Sequence, residues 1–190
     1  MKKWLLAAVA VGMLAGCQDD NETTQPKETE GPSSEVEQKI EEALGTDVAI
    51  PTLDNHEIGL AYLEEGVQEE NQTSAHLIYQ TTKKPMEGLT AETWGKQNDV
   101  EVLHGELFKD APLVELDIYP ETYGTLDNAE KREIAGEEVD YSLIPGSTRS
   151  TAYIGFDKEG AGYMIQYHLA QNQSVEEAFS FAEQIIEGLN

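Results

Sequence analysis

The hydrophobic pattern changes period twice along the chain. Ser34-Glu35-Val36-Glu37 has the Ser-x-x-Glu form of a capping box, and an amphipathic run follows to Leu44. Val36, Ile40, Ala43 and Leu44 share one side of that helix, and Gly45 ends it. After Pro51 the period drops to two. Ile58, Leu60 and Tyr62 alternate with Gly59, Ala61 and Leu63. Ala75, Leu77 and Tyr79 then alternate with His76, Ile78 and Gln80. The two runs predict antiparallel strands joined by the acidic loop Glu64 to Gln72. Thr90 to Trp94 fits a short helix, and Val100 to Phe108 and Leu113 to Tyr119 are further strand candidates.

The last third is the most regular. Gly136 to Ile144 alternates through Val139, Tyr141 and Leu143, and Thr148 to Phe156 through Ala152, Ile154 and Phe156. Asp157-Lys158-Glu159-Gly160 reads as a turn. Gly162 to Leu169 then sets Tyr163, Ile165, Tyr167 and Leu169 on one face. Ser174-Val175-Glu176-Glu177 is a second capping box. Behind it, Val175, Ala178, Phe179, Ala182, Ile185, Ile186 and Leu189 form an apolar stripe at helical spacing. Such a stripe must cover something, most simply one face of the preceding sheet. The expectation is an α+β domain: an antiparallel meandering sheet, with an N-terminal helix and a C-terminal amphipathic helix packed on it. On this reading Tyr163 and Tyr167 are core residues under the helix.

The start of the chain follows different rules. Lys2 and Lys3 precede an apolar run from Trp4 to Leu14, which ends at Leu14-Ala15-Gly16-Cys17. A charged start, a short apolar core and small residues at a cut are the layout of a secretory signal. The core falls short of the ~20 residues a membrane-spanning helix needs. Leu14-Ala15-Gly16-Cys17 resembles the lipobox of Gram-positive bacterial lipoproteins. The resemblance implies a diacylglycerol on the Cys17 sulfur, cleavage between Gly16 and Cys17, and an extracytoplasmic protein held to the cell membrane by lipid. Two acyl chains suit that task, since one gives only marginal anchoring. With its sole cysteine acylated, the chain would have no thiol left for catalysis or a disulfide.

Gln18 to Ser34 holds no large apolar residue and is rich in Thr, Glu, Ser and Pro. It cannot bury enough surface to offset its chain entropy. It reads as a flexible tether with a typical reach of roughly 20–25 Å. The expected organisation is therefore a signal peptide over 1–16, a lipid-anchored disordered tether over 17–34 and a single extracytoplasmic domain over 35–190.

A second resemblance lies in the ending Gly136-Glu137-Glu138-Val139-Asp140-Tyr141, Thr151-Ala152-Tyr153-Ile154-Gly155-Phe156 to Tyr167, and Ser174-Val175-Glu176-Glu177. It is similar to an uncharacterised C-terminal domain of Gram-positive surface lipoproteins and anti-sigma-like membrane regulators. It departs at Phe156, where that family more often has Trp. The resemblance implies topology, and a non-enzymatic role in the cell envelope.

Charge narrows the partners. Thirty-seven Asp and Glu stand against 12 Lys and Arg, for a formal charge of -25. Nucleic acid is excluded, because phosphate binding needs clustered basic residues. Anionic headgroups repel such a surface. Acid-rich surfaces stay soluble where salt screens repulsion, which points to a salt-tolerant host.

Catalytic signatures are scarce. His56, His76, His104 and His168 include no pair at helical zinc-site spacing, and no His-Glu-x-x-His motif occurs. His76 and His168 fall opposite Leu77 and Leu169 on their strands, as solvent-facing or hydrogen-bonded side chains. Ile144-Pro145-Gly146-Ser147-Thr148 lacks the second glycine of a nucleophile elbow and reads as a hairpin turn. The pairs Glu64/Glu65, Glu69/Glu70, Glu137/Glu138 and Glu176/Glu177 are expected in so acidic a chain. Glu64 to Glu70 offers at most a weak surface cation site, without a calcium-loop motif. Lys83-Lys84 is an adjacent basic pair beyond the signal segment. No metal, cofactor or catalytic residue is assigned. The expectation is a membrane-anchored, non-catalytic binding or regulatory module that contacts the membrane through its lipid and an envelope protein as partner. The alternatives are a carboxylate-dependent envelope hydrolase and a small cation- or solute-binding lipoprotein.

Overall fold

The computed structural model describes residues 32–54, 56–66, 72–81, 84–170 and 173–189. Gly16, Cys17, the signal segment and the tether up to residue 31 lie outside the described residues. Among those described, no helix is long and apolar enough to cross a membrane.

The fold is α+β. In chain order it has α1 (Pro32–Leu44), β1 (Glu57–Glu65), β2 (Thr73–Gln80), α2 (Ala91–Asn98), β3 (Val100–Gly105), β4 (Val114–Pro120), β5 (Glu130–Ile134), β6 (Glu137–Ile144), β7 (Arg149–Lys158), β8 (Ala161–Ala170) and α3 (Val175–Gly188). The strands make one eight-stranded antiparallel sheet in the order β3-β1-β2-β4-β8-β7-β6-β5. The meander expected in the last third is present as β5 to β8, and β8 pairs outward with β4.

The two long helices lie on one face. Ile58, Leu77, Tyr79, Leu116, Ile118, Ile154, Tyr163, Ile165 and Tyr167 belong to one buried cluster with Val36 and Ile40 of α1 and Phe181, Ile185 and Ile186 of α3. Phe181 meets Tyr79 edge-on, with centroids 5.3 Å apart, and also contacts Tyr167. Each such side chain contributes about 1.5–3 kcal/mol through burial. The α3 stripe is wider than the seven positions named from spacing. Phe181, three residues after Ala178 and four before Ile185, is fully buried, whereas Phe179 sits at the margin against Tyr141.

Four local features depart from the sequence expectation. Helix α1 begins at Pro32, two residues before Ser34, because proline is preset for a first helical turn and needs no donor there. Glu37 is consequently engaged elsewhere: its Oε2 accepts the Ile50 backbone N–H at 3.1 Å, and Glu41 Oε1 accepts that of Val48 at 3.3 Å. Ala43 is exposed.

In β1 the pairing shifts between Ile58 and Leu60, and Gly59 occupies the bulge. The phase therefore reverses. Ile58, Ala61 and Leu63 join the core, while Tyr62 points to the other face. Strand β3 stops at Gly105, whose φ of 91° leaves extended geometry, rather than running to Phe108. Finally, β5 was not expected. Glu130–Ile134 is an edge strand with four exposed residues and only Ile134 buried, so it has no alternating signal.

Candidate functional site

By the described residues, the sheet's second face is covered only in part. Near β1 and β3 it is flanked by α2, which is capped by Thr90 accepting the Thr93 N–H at 3.2 Å. Trp94 of α2 meets Tyr62 edge-on at 5.2 Å. Toward β6 to β8, the connection after β4 crosses the sheet as a strap. Thr122 Oγ1 donates to Asp157 Oδ2 at 3.0 Å and the Tyr123 N–H to Asp157 Oδ1 at 2.9 Å, while the Tyr123 hydroxyl donates to Asp140. Asp140 also pairs with Lys131 at 2.8 Å. The Lys131 and Tyr123 hydrogen bonds hold its carboxyl below the usual range.

Between α2 and the strap lies a strip of half-buried polar side chains. Register places them. His76 of β2 faces Asp117 of β4, Glu115 faces Gln166 of β8, and Gln166 faces Tyr153 of β7. His76 Nδ1 lies 2.8 Å from Asp117 Oδ1, so this nitrogen carries the proton. His76 Nε2 lies 3.1 Å from Ser74 Oγ and 3.5 Å from Glu64 Oε2, and the ring stacks on Tyr62 at 4.7 Å. On the other side of β4, His168 Nε2 lies 2.8 Å from Glu115 Oε1, and its Nδ1 lies 3.1 Å from Thr151 Oγ1. Tyr62 and Tyr119 flank Asp117. Burial, and then its charge, push both phenols up to about 12, so both stay protonated donors at neutral pH.

Each histidine thus completes a hydroxyl, imidazole and carboxylate set. The order is that of a nucleophilic triad, but the surroundings differ. Ser74 is 2% exposed, and Ser74 and Thr151 both lie in interior strands paired on each side. Amides committed to the ladder offer no pair of N–H groups to a developing oxyanion. What the arrangement does is fix the rotamers of two imidazoles, two carboxylates and two phenols on a flat support. That makes a rigid surface of hydrogen-bond donors and acceptors.

The other positions singled out in the sequence lie apart from this strip. His56 Nδ1 lies 2.8 Å from the Asp54 carbonyl, and His56 and His104 line a cavity of about 230 Å³ with Ser33, Leu53 and Tyr79. Ser147 is exposed in the β6–β7 turn, as expected. Glu64 is on β1 beside His76, while residues 67–71 of its loop and Lys83 lie outside the described residues. Glu137 pairs with Lys158 at 2.8 Å and Glu138 with Lys131 at 3.4 Å. Among the described residues no cluster of three His, Cys, Asp or Glu could hold a metal ion. Spacing alone placed His76 and His168 on the polar face. Their carboxylate partners follow only from pairing β4 with both β2 and β8. The one sequence signal was that Glu115 and Asp117 occupy the polar phase of β4.

Comparison with known proteins adds no relative. No family model, no curated protein and no solved structure matches the chain.

Proposed function

We propose that this protein is a lipid-anchored surface lipoprotein of the cell envelope, acting as a non-catalytic binding or regulatory module whose contact surface is the open strip of the sheet. The lipobox ending at Cys17 supports the anchoring. One observation carries the binding role. An eight-stranded sheet buries one face under α1 and α3, and presents on the other an ordered row from His76 to Tyr153 that no helix among the described residues covers. Side chains that hold one another in place lose little freedom on contact, which favours recognition. The carboxylates of Glu64, Glu115 and Asp117 suit a partner that brings donors or positive charge.

The test is site-specific photocrosslinking in intact membranes. A photoreactive residue at Gln166, in the strip, should capture a defined envelope protein. The same residue at Glu183, exposed on α3, should not. Cys17→Ala should move the chain from the membrane to the soluble fraction and abolish capture. Equal capture from both positions, or none from Gln166, would remove the basis for the strip as a contact surface. A Cys17→Ala chain that stays on the membrane would remove the anchor.

A further inference from the structure

The β6–β7 turn differs from the rest of the surface. Leu143 and Ile144 are 46% and 54% exposed, and they are two of the three large hydrophobic residues exposed among those described. They stand at the end of a narrow hairpin whose turn packs Gly146 directly against the Arg149 carbonyl. Residues 141–156 contain no Asp or Glu, and neither do residues 160–175, in a chain with 37 such residues. The tip of the β6–β7 hairpin and β8 are thus free of acids along their length, with Arg149 at the tip.

The chain's N-terminal segment enters at the same end. Ser33, at the start of α1, lines the cavity beside Ile58 and Tyr79. Ile58 pairs with Tyr79, Tyr79 with Val114, Val114 with Tyr167, Tyr167 with Ala152, and Ala152 with Leu143. Entry point and apolar tip therefore share one row of the sheet, about 24 Å apart at ~4.8 Å per strand. A continuous surface joins them. Leu53 and His56 border both the Ser33 cavity and a hollow that reaches Glu176 in the first turn of α3, next to Val175 at the hairpin.

We infer that the tip of the β6–β7 hairpin docks on the lipid bilayer, with Leu143 and Ile144 entering the headgroup boundary and Arg149 beside them meeting lipid phosphate. The inference rests on the lipid anchor proposed above. Area argues for lipid over protein: two side chains on a turn fall far short of the ~1,200–2,000 Å² that a stable protein interface buries. They suffice for shallow insertion where a covalent anchor already supplies affinity. The hairpin tip itself carries no acid, so no carboxylate beside Leu143, Ile144 and Arg149 is repelled by anionic headgroups. Docked in this way, the strands rise from the membrane. The open strip then looks sideways, toward a neighbouring membrane protein.

The experiment uses the full acylated chain in vesicles of phosphatidylcholine and phosphatidylglycerol. With Cys17 acylated, Ser147→Cys supplies the only free thiol and leaves Leu143 and Ile144 in place. An environment-sensitive fluorophore there should be quenched several-fold more strongly by lipid-borne quenchers than one at Glu159→Cys, in the opposite turn. Adding Leu143→Ser and Ile144→Ser should remove the difference. Equal quenching at both positions, in a chain that floats with the vesicles, overturns docking and leaves the anchor standing. A chain that does not float overturns the anchor and docking with it. Protection of Ser147→Cys in native membranes, but not in pure lipid, would assign the tip to a protein partner and overturn the lipid assignment.

Discussion

Gly162 on β8 leaves open the space into which the Tyr123 backbone packs: a Cβ there would overlap the Tyr123 nitrogen and the Thr122 carbonyl carbon. Gly155 on β7 does the same for the Tyr123 ring. The strap after β4 can lie on the sheet only because two adjacent strands present glycine. Both glycines belong to the ending whose resemblance to an envelope-lipoprotein domain was noted, so part of that motif is packing chemistry. Gly162→Ala should cost about 1–3 kcal/mol, as overpacking against backbone does. Urea denaturation checks this. A change within about 0.5 kcal/mol, the range of neutral surface substitutions, would mean that the strap yields freely.

The same region shows what a sequence can and cannot disclose. Strands buried on one face, such as β8 with Tyr163, Ile165, Tyr167 and Leu169, announce themselves by alternation. The edge strand β5 does not, since Ile134 alone is buried and its pairing to β6 is set by backbone and charge. In β1 the alternation does not keep one phase, because one bulge at Gly59 moves every later side chain to the other face. The candidate strip suffered most. His76 and Asp117 are far apart in sequence, and each looks like an ordinary polar position on its strand. Only the strand order brings them to 2.8 Å.

Glu37 provides a second test, of helix α1. Its carboxylate accepts the Ile50 N–H, so the acid seen as half of a capping box instead fastens the segment after the helix. Burial, opposed by this hydrogen bond and reinforced by Glu41, raises its carboxyl above the usual value. A raised folded value means that stability is fully present below the unfolded value and declines as pH rises through the folded one. Glu37→Gln keeps an acceptor and removes the charge. It should therefore equal or exceed the parent at neutral pH, and the gap should close below about pH 4. Glu37→Ala leaves the Ile50 N–H unpaired and should cost about 1–3 kcal/mol. Chemical denaturation of both variants across pH decides. If Gln and Ala are equally destabilising, the hydrogen bond is not what holds this segment.

Tyrosines set the alkaline limit. Burial, with Asp117 adding to it for Tyr62 and Tyr119 and nearby glutamates for Tyr163 and Tyr167, pushes all four up to about 12. Burial pushes Tyr79 higher still. The unfolded chain loses these protons near the ordinary value of about 10, while the folded one keeps them. Stability should be intact below about pH 10 and fall as pH rises toward about 12. Denaturation midpoints, read beside tyrosinate absorbance, follow this directly. Asp117→Asn should bring Tyr62 and Tyr119 downward and leave Tyr163 in place. If Asp117→Asn leaves every tyrosine titration where it was, the carboxylate does not govern this strip.

Salt should stabilise the domain, and the sign follows from a competition. Screening weakens attractive pairs such as Lys131–Asp140 and Lys96–Glu92, and it weakens repulsion among the acids, which far outnumber the basic residues. Exposed pairs contribute about 0–1 kcal/mol each, so losing them costs little. Lys158, whose side chain is 9% exposed, is a pair member that salt reaches little. With 37 acids against 12 basic residues, repulsion dominates. It acts over ~30 Å at 0.01 M ionic strength and over only ~3 Å at 1 M. The melting temperature should therefore rise across that range in sodium chloride. Replacing exposed acids such as Glu42, Glu101 and Glu183 with Gln should raise stability at low salt and flatten the rise. A melting temperature that is level or falling with salt would show that the few ion pairs outweigh the field. The charge would then give no reason to place the protein in a saline environment.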